Sequence, residues 1–143
     1  MAGNTFLLEV VTPERIALSE EVKFVVVPAM EGELGILSNH APIVAGLKIG
    51  VLRYTQPNGE VHYMALSGGL MEVIDNEAKV LAETAEHGRE IDLLRAKAAK
   101  ERAERRLAER KDQISYVRAQ MALLRALARI KASELERGGY SGY

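Results

Sequence analysis

The 143-residue chain contains no cysteine and no tryptophan, only four prolines, and few aromatic residues of any kind. Without cysteine there is no disulfide framework and no thiolate metal site, which fits a reducing compartment. His40, His62 and His87 are scattered without ligand spacing, so no metal centre is expected. No apolar run approaches the roughly 18 residues of a membrane-spanning helix. The opening "MAGNTFLLEVV" has no basic region, and Glu9 interrupts its apolar run, so a secretory leader is not expected. Neither G-x-x-x-x-G-K-[ST] nor G-x-G-x-x-G occurs, which removes both standard phosphate cradles. The serines and histidines form no nucleophile motif. An independent enzyme is not expected, and any membrane role would run through a partner.

What is present divides into two unlike halves. Residues 1–89 carry 6 Lys/Arg and 12 Asp/Glu, whereas residues 90–143 carry 13 and 8. Opposite signs suggest two modules with different tasks. The first half contains short runs rich in Val, Ile and Leu ("TFLLEVV", "VKFVVVPA", "PIVAGL") bounded by Pro, Gly, Asn and Ser. "KIGVLRYT" and "EVHYMAL" flank "QPNG", and "GGLMEVID" and "EAKVLAE" flank Asn76, which predicts two hairpins. Many short strands with regular turns predict an all-β sandwich or barrel.

From about Glu90 to about Arg137 the composition is that of a helix, free of Gly and Pro until Gly138. Asp112 can cap a second segment, so one long helix and a hairpin of two both remain open. Ile114, Val117, Met121, Leu124, Ala128 and Leu135 form a stripe at helical spacing and predict a packed face. In the first segment Ile91, Leu94 and Ala98 lie on one side, and Ala99, Ala103 and Leu107 on another. Alanine faces bury little area, so such a hairpin would be marginal and movable. The predicted organisation is a sandwich over 1–87, a helical domain over 88–137 and a Gly/Tyr tail over 138–143.

The helices are basic in an ordered way. Arg95, Arg102 and Arg106 share one face, and Arg118, Arg125 and Arg129 repeat the spacing. A solvated face with pairs such as Lys97–Glu101 and Glu101–Arg105 explains this at least cost. Nucleic-acid binding is disfavoured by the eight acids and the scarcity of stacking aromatics. A third reading is a clamp in which two arginine rows meet one polyphosphate, since guanidinium forks match phosphate oxygens. Asp92 most simply caps the first helix.

The run "VVVPAMEGELGILSNHAPIVAGLKIGVLR", followed by "ALSGGLMEVIDNEAKVLAETAE" and "EIDLLRAKAAKERAERRL", closely resembles the epsilon subunit of bacterial F-type ATP synthases from Phe6 to about Glu136. The resemblance implies an α+β fold: an N-terminal β-sandwich, a flattened barrel of about ten short strands, then a two-helix hairpin that can extend. It implies a non-catalytic central-stalk subunit of the proton-translocating synthase, peripheral to the cytoplasmic face of the bacterial membrane and not inserted in it. The implied partners are the gamma subunit and the c-subunit ring, with alpha and beta subunits when the helices extend and block ATP hydrolysis. Glu33 and His40 would face the c ring, although His40 could equally close its own turn. In Bacillus-type members the hairpin binds regulatory ATP, with or without magnesium, through an I/L-D-x-x-R-A motif. Here "IDLLRA" supplies Ile91, Asp92, Arg95 and Ala96, and Glu86, Arg102, Arg125 and Arg129 match the remaining ligand positions. The runner-up is a free-standing β-domain adaptor whose basic helices bind nucleic acid.

Overall fold

A computed structural model describes residues 3–109 and 112–138. The strands are β1 (Phe6–Val11), β2 (Ile16–Val22), β3 (Phe24–Ala29), β4 (Gly32–Leu37), β5 (Ile43–Thr55), β6 (Val61–Ile74), β7 (Glu77–Ala82) and β8 (Ala85–His87). A 3-10 turn at Gly88–Glu90 leads into helices α1 (Leu93–Glu109) and α2 (Gln113–Glu136). The sheet order is β2-β1-β7-β6-β5-β3-β4, with β8 paired to β6. All these pairings are antiparallel except β1 with β7.

Alternation dictates the core. Phe6, Leu8 and Val10 of β1 and Ala78, Val80 and Ala82 of β7 are buried while their neighbours are not. Strands that do not pair, such as β1 and β3, contribute Leu8 and Val25 to one cluster with Leu52, Met64 and Met71. The sheet therefore closes over itself as a sandwich.

Eight strands replace the expected ten or so, because four anticipated short strands are two long ones. "PIVAGL" and "KIGVLRYT" fuse in β5, and "EVHYMAL" and "GGLMEVID" fuse in β6. The inward parity of β6 changes midway, from Met64 and Leu66 to Met71 and Val73. Leu47, then Leu52 and Tyr54, show the same change on β5. The ladder keeps its register across the change, from Leu47↔Gly69 to Ile49↔Ser67. Gly68 and Gly69 take the bend, at φ 99° and 151°. A Cβ on Gly69 would lie 2.0 Å from the Leu81 carbonyl oxygen, so only glycine fits. A local break that looks like a strand end is a bend within one strand. The Asn76 hairpin forms as expected: Asp75 and Asn76 both have positive φ, 51° and 61°, as a two-residue type I′ turn requires.

The helices form a hairpin rather than one rod. Asp112 is extended and accepts from the Ser115 N–H at 2.8 Å, capping α2. That backbone hydrogen bond, foremost, holds its carboxyl below the ordinary value. Residues 110, 111 and 139–143, including most of the Gly/Tyr tail, lie outside the described residues.

Of the predicted α2 stripe Ala128 is buried and Leu135 half-buried, but its four large N-terminal members do not pack. Ile114, Val117, Met121 and Leu124 are 66%, 43%, 41% and 48% exposed. The buried positions are Ala119, Ala126, Ala128, Ala132 and Ser133. On α1 the side carrying Ala99, Ala103 and Leu107 turns inward, and Leu94 turns out. Small side chains let the backbones approach closely, and that contact displaces the larger residues outward. Lys97 reaches Glu134 on the opposite helix at 4.0 Å, not Glu101 on its own.

Candidate functional site: the seam and cleft between sandwich and hairpin

The hairpin rests on the sheet through a small apolar seam of Ala65, Ile91, Ala96, Ala128 and Ala132. Gly88 sets the spacing: a Cβ there would lie 2.5 Å from the Ala132 carbonyl oxygen and 2.9 Å from Glu136 Cβ. The C-terminal end of α2 is tied by polar contacts. Glu136 accepts the Tyr63 N–H at 3.0 Å and lies 2.9 Å from His62 Nδ1. Arg137 donates to the Ile91 carbonyl at 3.3 Å and to Ser133 Oγ at 2.6 Å. The Tyr54 ring lies 5.6 Å from His62, and burial, then the charge of Glu20, pushes its phenol above the ordinary value. That tyrosine stays neutral, and the charges acting on it are those of Glu20, Arg89 and Glu136.

Beside the seam opens a cleft of about 550 Å³. Its helical wall holds Ala99, Ala122, Arg125, Ala126 and Arg129. Its sandwich wall includes Arg15, Ser67, Thr84 and Glu86. Arg129 Nη2 donates to Glu86 Oε2 at 3.3 Å; Nε sits 2.9 Å from Oε1 without the alignment of a hydrogen bond. Arg95 and Arg102 lie four residues before and three after Ala99, which puts them on the Ala99 side of α1 by helical spacing, although neither lines the cleft. A neighbouring hollow brings Arg106, Arg118 and Arg125 together. The hairpin thus brings Arg106 of the first arginine row to Arg118 and Arg125 of the second.

The eight anticipated ligand positions have unequal access. Glu86, Arg125 and Arg129 line the cleft, whereas Arg95 and Arg102 are exposed and not among its lining residues. Asp92 caps α1, accepting the Arg95 N–H at 3.2 Å. Ile91 and Ala96 are buried in the seam, 2% and 0% exposed. Arg15 was not anticipated: it sits in an ordinary turn between β1 and β2, with no local signal linking it to the helices. Elsewhere Glu33 pairs with Arg53 at 3.5 Å. His40 Nδ1 contacts the next-door Ala41 carbonyl at 2.6 Å. The buried His87 bonds the Ala17 carbonyl at 2.7 Å through Nε2. Among the described residues no cluster of three metal-binding side chains occurs, and no helix is long and apolar enough to cross a membrane.

The division into sandwich and hairpin coincides with two family models. Residues 5–88 match the "ATP synthase, Delta/Epsilon chain, beta-sandwich domain", and residues 89–134 match its "long alpha-helix domain". The chain belongs to the ATP synthase delta/epsilon family. The ATP synthase epsilon chain of Syntrophomonas wolfei is 66% identical over 134 residues, covering 94% of this chain and 98% of the relative. That of Desulfitobacterium hafniense (strain Y51) is 56% identical over 133 residues, covering 93% and 98%. The fold is shared with a chain of the Euglena gracilis mitochondrial ATP synthase (OSCP/F1/c-ring, rotational state 1). That match has a TM-score of 0.75 and 24% identity, over 84% of this chain and 76% of that one. As a member of this family the chain is a regulatory and coupling subunit of the synthase and carries no catalytic centre of it.

Proposed function

We propose that this subunit sits on the rotor of the proton-translocating synthase, against the gamma subunit and the c ring, at the cytoplasmic face of the bacterial membrane. Its hairpin is a two-state element. Docked, it binds regulatory ATP; extended along gamma towards the alpha and beta subunits, it stops ATP hydrolysis. The observation that carries the ATP reading is the cleft itself, where Glu86, Arg125 and Arg129 meet at the edge of a seam whose buried residues are four alanines and Ile91. Arg102 and Arg125 offer forks for phosphate, and the α1 cap at Asp92 with Arg95 suits the base end. Magnesium would accompany the phosphates and needs no protein ligand. The outward stripe of Ile114, Val117, Met121 and Leu124 supports the second state, since it has no partner while the hairpin is docked. Glu33, at the start of β4, and His40, beyond the turn that follows β4, remain proposed as the contact with the c ring.

ATP binding only to the docked state would hold the hairpin down by RT ln(1 + [L]/Kd). Calorimetric titration of the full chain with ATP tests this, alongside Arg125→Ala and, as control, Arg105→Ala. Losing a hydrogen bond to a charged group is worth roughly 1.5–3 kcal/mol, so Arg125→Ala should bind about tenfold to a hundredfold more weakly. Arg105→Ala, on an exposed face away from the cleft, should bind like the parent. No ATP binding by the parent at millimolar concentration refutes the reading.

A further inference from the structure

The sandwich wall of the cleft carries a base of its own. Arg15 ends the loop that joins β1 to β2, and Thr12 fixes that loop. The Thr12 N–H donates to the Arg15 carbonyl at 2.9 Å, and Thr12 Oγ1 accepts from the Glu14 and Arg15 N–H groups at 3.3 and 3.2 Å. The Arg15 guanidinium donates through Nη2 to the Ala85 carbonyl at 3.1 Å, 70 residues away and adjacent to Glu86. That bond uses one of five N–H donors. Among the described residues no carboxylate pairs with Arg15 or Arg125, and both line the cleft.

Charge decides what Arg15 is for. The sandwich side of the lining contains Glu14, Glu83 and Glu86 and no other base. Without Arg15 that wall would present three acids to an incoming polyphosphate. The wall matters thermodynamically as well. A ligand held only within the helices stabilises the hairpin but not its seat on the sandwich. Only a contact to the sandwich gives the ligand differential affinity for the docked state, and a ligand without differential affinity shifts nothing. Glu86 is engaged with Arg129, which leaves Arg15 as the sandwich group able to meet an anion with forked, charge-assisted hydrogen bonds.

We infer that Arg15 is a phosphate-binding residue of the nucleotide cleft, and that a polyphosphate bridging Arg15 to Arg125 and Arg129 fastens the hairpin to the sandwich. This rests on the ATP reading above and adds to it the sandwich-borne contact.

The test uses the full chain, calorimetry with ATP, ADP and AMP, and a fluorophore pair reporting the distance from sandwich to α2. Arg15→Ala should weaken ATP about tenfold or more and AMP far less, since only the longer phosphate chain spans the cleft. Arg15→Lys, which keeps the charge but not the fork, should fall between. ATP should no longer shorten the distance in Arg15→Ala at concentrations that close the parent. Loss of the Ala85 bond alone would instead weaken all three nucleotides equally. Equal weakening, or ATP affinity unchanged by Arg15→Ala while Arg125→Ala is impaired, overturns the role of Arg15 and leaves the ATP reading intact. A parent that binds no ATP overturns both.

Discussion

Replacing Glu136 by alanine should release the hairpin from the sandwich, although Glu136 does not line the cleft. Its carboxylate is 12% exposed and accepts the Tyr63 N–H at 3.0 Å, with His62 Nδ1 at 2.9 Å. Hydrogen bonds to a charged acceptor contribute about 1.5–3 kcal/mol each. In the undocked state water replaces both, and the His62 partner is itself partly solvated, so the pair together is set at about 2–3 kcal/mol. At about 1.4 kcal/mol per decade this shifts the docking equilibrium roughly 30-fold to 150-fold. The apolar seam also favours docking but buries few large side chains completely: Ile91 lies among four alanines, with Ile49, Val51, Tyr63 and Ile130 only partly buried against them. A loss of this size should populate the undocked state. The apparent Kd for ATP would then rise by the reciprocal of the docked fraction, with the cleft chemistry unchanged. The assay is energy transfer between sandwich and α2 without nucleotide, followed by ATP titration, for the parent, Glu136→Ala and the exposed control Glu104→Ala. Transfer efficiency and ATP affinity in Glu136→Ala equal to those of the parent would refute the claim that this contact holds the hairpin.

A fragment of residues 1–87 should fold by itself, because the main core draws only on the strands and Ala85; cooperative thermal unfolding with β-type circular dichroism checks this. Met121→Gln with Leu124→Gln should change the stability of the isolated chain by about 0.5 kcal/mol or less, given their exposure, yet weaken inhibition of hydrolysis in the assembled synthase. Equal inhibition would show that this stripe has no partner in the extended state. The depressed Asp112 carboxyl stabilises α2 above its ordinary value near pH 3.9, and the contribution is lost as pH falls through its lower folded value. Helix content should therefore drop more steeply on acidification in the parent than in Asp112→Asn, and parallel curves would count against the cap.

Local chemistry was readable without coordinates. Alternation over "FLLEVV" and "EAKVLA", the hairpin turn at Asn76, and the caps at Asp92 and Asp112 each depend on residues within a turn or a strand of one another. The two-module division follows from the same short-range signals. The identity of the ATP-site candidates came from the family resemblance rather than from spacing, since the hexapeptide "IDLLRA" is also an ordinary capped helix start.

Three features were settled only by tertiary contact. The first is which helical face is buried. Periodicity favours the stripe of Ile114, Val117, Met121, Leu124, Ala128 and Leu135, but close approach of backbones at Ala96, Ala126 and Ala132 buries only its Ala128 and turns its first four members outward. The second is strand continuity: Gly68 and Gly69 look like a break, and pairing with β5 and β7 carries β6 through them. The third is the sandwich wall of the cleft. Arg15 meets β8 across 70 residues of chain, and the folded sheet with the hairpin docked on it puts Arg15 in one cleft with Arg125 and Arg129. Propensities, caps and turns act within a few residues and are written in sequence order, whereas burial and charge complementarity depend on partners that only the closed sandwich and the docked hairpin bring together.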